Sequence, residues 1–105
     1  MRIPCEFQVG AHTVKVLKNK RLVDAYGEWF TYKKEIHLAK PKKDWSEFFA
    51  FQVFVHEVVH AVLETMGRQD LSENEAFVDG LSEAITQVIL TSKFEEKADV
   101  PANKG

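Results

Sequence analysis

Apolar residues follow two regimes along the chain. Through the first forty residues they come in short β-branched or aromatic runs broken by glycine. EFQVG and HTVKVLKNK lie on either side of a turn at Gly10 and predict a hairpin. EWFTYKKEIHLAK predicts a second one, with strands over 29–32 and 35–38 joined near Lys33 and Lys34. Gly10 and Gly27 are the expected points of unusual backbone. Pro41, in KPKKD, closes the strand region.

Beyond Pro41 the period changes. Asp44 with Glu47 three residues on has capping-box spacing, so a helix is expected over about 45–66. Gly67 can supply the left-handed residue that ends it. After the short link RQDL, a second helix is expected from about 71–72 to 93. Phe77, Leu81, Ala84, Ile85, Val88 and Ile89 recur in it at helical spacing. Strands followed by two helices give an α+β fold: a small antiparallel N-terminal sheet packed against an antiparallel pair of long helices. Residues 1–93 form one domain on this reading, and 94–105 a polar, flexible tail.

Length and composition agree with that plan. The chain has 105 residues, 45% of them hydrophobic, enough for one modest core. Its net charge of −2 conceals an asymmetry. Residues 1–43 carry ten Lys/Arg against four Asp/Glu; residues 44–105 carry four against twelve. The simpler expectation is attraction between the halves on folding; the sharper one is a basic face for an acidic partner. The lysines are scattered without interleaved aromatics, so no nucleic acid is expected. Cys5 is the single cysteine, which excludes a disulfide framework and fits a cytoplasmic protein. No secretory h-region and no charge-free run of 18 residues occur, so no membrane association is expected.

The polar residues set into the apolar run FFAFQVFVHEVVHAVLETMG change the picture most. His56, Glu57 and His60 form H-E-x-x-H. At 3.6 residues per turn, His56 and His60 share one helix face, and two imidazole nitrogens can reach one zinc ion at about 2.0–2.1 Å. Glu57 is rotated by about 100° and suits a general base that takes a proton from water beside the ion. The competing reading is two satisfied core histidines. The apolar flanks weigh against it, because unpaired imidazoles are costly there. Glu64 continues the i, i+4 stripe Gln52, His56, His60. It lies about 12 Å along the axis from His56, too far to share the ion, and is expected to be an exposed or hydrogen-bonding carboxylate near the helix end, a bystander to the ion.

A catalytic zinc needs a third protein ligand. In an antiparallel neighbour, residues at the level of His60 lie just after the second helix begins, where Glu73 and Glu75 are the carboxylates. Asp79, one turn further, would reach the level of His56 and could accept its other N–H. Ser72 with Glu75, or Asp70 with Glu73, would also form capping boxes, so Glu73 and Glu75 both remain open from spacing alone.

HEVVH followed by NEAFVD resembles the gluzincin type of zincin metallopeptidase, in which H-E-x-x-H is followed by a helix bearing N-E-x-x-x-D. The resemblance covers roughly residues 26–90 and extends to small metallopeptidase-like proteins of phages and prophages. It implies one Zn2+ on His56, His60 and Glu75, with Asp79 in support and Glu57 as the catalytic residue. The short link departs from the large secreted enzymes, whose oxyanion-stabilising His or Tyr comes from a subdomain lacking here. Tyr26, Tyr32, His37 and His12 are the substitutes this sequence offers.

The leading expectation is therefore a zinc-dependent peptidase acting on a peptide or protein substrate, which could add to an exposed strand at 35–38. The alternatives are a metal-stabilised regulatory or binding protein, in which zinc staples two helices, and a metal-free interaction module.

Overall fold

A computed structural model describes residues 3–95; most of the tail expected over 94–105 lies outside the described residues. The first hairpin forms as expected. β1 (Glu6–Val9) pairs antiparallel with β2 (His12–Lys20), Val9 opposite His12, and Gly10 turns at φ +59°. The second hairpin starts earlier than the sequence predicted: β3 is Gly27–Phe30 and β4 is Glu35–Ala39. Lys34 takes the left-handed position of its turn at φ +55° and donates its N–H to the Phe30 carbonyl at 3.0 Å.

The sheet order is β1-β2-β4-β3, and β2 runs parallel to β4, with Val16 opposite Ile36. The expected all-antiparallel sheet is thus corrected to a mixed one. Burial accounts for the order. Val14 and Val16 of β2 and Ile36 and Leu38 of β4 are buried, so these two strands fill the middle of the sheet. β3, carrying exposed Glu28, goes to the edge. The position proposed for strand addition, 35–38, is therefore internal and already paired on both sides.

α1 (Glu47–Thr65) lies on the inner face of the sheet. Its cap is Ser46 and not Asp44; the Ser46 hydroxyl accepts the Phe49 N–H at 3.0 Å. Trp45 is left outside the helix and packs edge-on against Tyr26 and Phe49. At the far end Gly67, φ +78°, donates to the Glu64 carbonyl, and Arg68 donates to that of Leu63. That pair of bonds is a Schellman closure, which needs a glycine at this φ. By length and mean hydropathy (19 residues, 1.2) α1 is apolar enough to cross a membrane. In this fold it is the helix the core is built on: Phe51, Phe54, Val55, Val59 and Leu63 meet the strands and Val78.

The link folds as a short helix, α2 (Gln69–Ser72), and the last helix, α3, is Glu75–Thr91. Its cap is Asn74, whose Oδ1 accepts the Phe77 N–H at 3.1 Å; neither Ser72 nor Asp70 caps it. That choice puts Glu75 at the first helical position, where the helix dipole favours an anion. It also leaves the Ser72 hydroxyl free for other bonds. Among the described residues the Lys and Arg ion pairs include Lys15 with Glu6 and Arg68 with Asp70, each within one half of the chain.

Candidate metal centre

α1 presents His56 and His60 one turn apart, 5.0 Å between ring centroids. α3 brings up Glu75, whose Oε1 lies 3.5 Å from His56 Nε2 and whose Oε2 lies 3.7 Å from His60 Nε2. One donor atom from each of the three lies within 4.8 Å of the others. Ligand atoms around a tetrahedral zinc stand about 3.4 Å apart, so these three residues are the ones that could hold one ion. Glu73, the alternative, points elsewhere: its Oε2 accepts from Gln69 Nε2 at 3.3 Å.

Neighbours favour a proton on Nδ1 of both imidazoles. His56 Nδ1 lies 3.0 Å from Asp79 Oδ1, and a carboxylate only accepts, so a hydrogen on Nδ1 is the favourable arrangement there. His60 Nδ1 lies 2.8 Å from Ser72 Oγ, and Ser72 Oγ donates to Glu64 Oε2 at 2.8 Å. A hydroxyl has one proton; spending it on Glu64 makes Ser72 the acceptor for His60 Nδ1–H. Nε2 of each ring then faces the Glu75 carboxylate. Either an Nε2 proton or a cation between rings and carboxylate satisfies that arrangement, and the second is the chemistry of a metal ligand set. Burial first and the neighbouring His56 second hold His60 below the ordinary histidine range, favouring this neutral donor form.

Glu57 lies against β3, its carboxylate beside Gly27. It is 7% exposed. Burial, then the charges of Glu75 and Glu28, push its carboxyl up to about 8. It lines a cleft of about 310 Å³ together with His56, Asp79, Gln52, Tyr26 and Gly27. Gly27 has an ordinary φ, contrary to expectation; what matters is its missing side chain. A Cβ there would stand 3.1 Å from Glu57 Cγ and 3.3 Å from Glu57 Oε2.

Of the four substitute oxyanion donors, only Tyr26 lines this cleft. Tyr32 is fully exposed, His12 sits at the first hairpin, and His37 bonds to Glu35 at 2.9 Å. Glu64 takes the hydrogen-bonding role and stays outside the ligand set. Its carboxylate accepts from Trp29 Nε1 at 3.1 Å, Thr31 Oγ1 at 2.7 Å and Ser72 Oγ at 2.8 Å. Burial opposes its ionisation, but these three bonds outweigh burial and hold it below the usual carboxylate range. Sequence reasoning missed Ser72, Trp29, Thr31 and the packing role of Gly27. The only local signals were the i, i+4 stripe ending at Glu64 and a serine near a helix start. Compared with protein-family models, curated proteins and solved structures, the chain matches none, so any function must be argued from this geometry.

Proposed function

We propose that the protein is a zinc-dependent peptidase of the zincin type, with His56, His60 and Glu75 holding one ion and Glu57 as general base. The observation that supports this reading is the convergence of two Nε2 atoms and a carboxylate, with one of the three, His56, sharing a cleft with the buried acid Glu57. The ligand set of two histidines and one glutamate suits zinc. When bound, zinc supplies a Lewis acid that polarises the scissile carbonyl and makes water a nucleophile near neutral pH. Glu57, ionised beside a bound cation, would take the proton of the attacking water through Oε and pass it to the leaving amine. Asp79 holds His56 in the donor tautomer through Nδ1–H. Tyr26, through its hydroxyl, is the group in the cleft suited to stabilise the developing oxyanion.

The substrate is a peptide or protein segment in extended form. It adds to β3, the edge strand whose Gly27 touches Glu57, in place of the internal β4. The free, exposed Cys5 supports action in a reducing cytoplasm. A zinc that only stapled α1 to α3 would leave a costly buried acid beside an open cleft without a purpose, so the peptidase reading is preferred. The test is cleavage of an unfolded protein by the zinc-loaded chain, wild type against Glu57→Gln. Cleavage by the wild type alone supports the reading. Equal cleavage by both removes Glu57 as base, and cleavage by neither with zinc bound overturns the peptidase reading.

A further inference from the structure

The proposed chemistry gives no task to Glu64, yet this carboxylate collects three donors from three parts of the fold. Trp29 Nε1 comes from β3, Thr31 Oγ1 from the turn after it, and Ser72 Oγ from the end of α2. Ser72 is 3% exposed, and its hydroxyl connects Glu64 to His60 Nδ1 with both links at 2.8 Å. The direction of those bonds follows from proton counting. Glu64 only accepts; Ser72 has a single proton; His60 must supply its own.

We infer that Glu64 is a positioning residue for the metal site, acting through Ser72 to fix His60 as an Nε2 donor while tying the edge strand to the ligand-bearing helix. The inference rests on the metal reading above and concerns how one ligand is oriented. The two ligand histidines are thus held by different devices. His56 Nδ1 faces a carboxylate directly, 3.0 Å from that of Asp79, which is largely exposed. His60 gives its proton to a buried hydroxyl backed by a carboxylate eight residues earlier on α1. An uncharged Glu64 could not accept all three donors. With glutamine there, either an amide N–H faces the Trp29 and Thr31 donors, or it faces Ser72. In the second arrangement the hydroxyl turns round, donates to His60 Nδ1, and moves the ring proton to Nε2, the atom meant for the ion.

Partners that orient a ligand histidine commonly account for ten- to a hundredfold in metal affinity. The test uses the full chain and two variants, Glu64→Gln and Ser72→Ala, with their double variant. Zinc affinity is measured by competition with a chromophoric chelator, and the His60 tautomer by 15N–1H side-chain spectra of the metal-free protein. The expected results are Nδ1–H on His60 in the wild type, a changed tautomer population in each variant, and zinc affinity lowered about ten- to a hundredfold. The double variant should be no weaker than the weaker single one, because both act on the same ring. Ser72→Ala removes one oxygen and decides the matter if Glu64→Gln does not fold. Wild-type affinity and tautomer in folded Ser72→Ala would overturn the inference while leaving the metal site intact. Failure of the wild type to bind zinc would instead overturn the metal reading, and this inference with it.

Discussion

Replacing Glu57 by glutamine should make the metal-free protein more stable, and more so as pH rises. The Glu57 carboxyl is 7% exposed, and burial, aided by Glu75 and Glu28, raises it from 4.5 to about 8. The unfolded chain therefore releases this proton well before the folded chain does. Stability from holding the proton is complete below pH 4.5 and is lost as pH rises through about 8. Each pKa unit corresponds to about 1.4 kcal/mol. The loss is thus about 3 kcal/mol at pH 7 and approaches about 5 kcal/mol above pH 8. Against a total of about 5–15 kcal/mol for a domain, that is a large fraction. Glutamine is isosteric and has no charge to bury, so it removes the slope. The assay is urea unfolding of wild type and Glu57→Gln with chelator present, at pH 5.5 and 8.5. The wild type should lose about 3 kcal/mol more than the variant between those two values, contributions from other groups cancelling in the comparison. Parallel losses would refute the reasoning, since they would mean that Glu57 ionises in the fold without cost.

Three other perturbations separate the parts of the account. Gly27→Ala should lower kcat about tenfold with zinc affinity unchanged, because its Cβ must push Glu57 by a few tenths of an ångström and touches no ligand; steady-state kinetics and chelator competition check this pair. Tyr26→Phe should lower kcat about a hundredfold with little change in KM if its hydroxyl meets the oxyanion, and an unchanged kcat would remove it from the mechanism. Thr86 is fully buried on α3 and its Oγ1 has no hydrogen-bond partner among the described residues, so Thr86→Val should raise stability by about 1 kcal/mol in thermal or urea melts.

Much of this architecture was legible because it is local. Gly10 marks a hairpin through its backbone freedom, and the apolar period of 47–65 marks a helix whatever surrounds it. H-E-x-x-H was legible for the same reason: its geometry lies within one turn of one helix. The parallel pairing of β2 with β4 was not, since it depends on which strands carry fully buried side chains after collapse. The caps were misplaced because several polar residues competed at each helix start, and Ser46 and Asn74 prevailed over Asp44 and Ser72. The tie from Glu64 to Trp29 spans 35 residues and crosses from helix to sheet, so no spacing rule could find it. Gly27 belongs to the same class: its value is the space it leaves for a side chain thirty residues away.

The central claim is that two imidazole lone pairs and the Glu75 carboxylate form one metal site. Calorimetric titration of the metal-free chain with zinc tests it most directly, with Glu75→Ala and Glu73→Ala titrated alongside. The account expects one ion per chain, lost or greatly weakened in Glu75→Ala and retained in Glu73→Ala. No saturable binding by the wild type, or equal binding by Glu75→Ala, would contradict it.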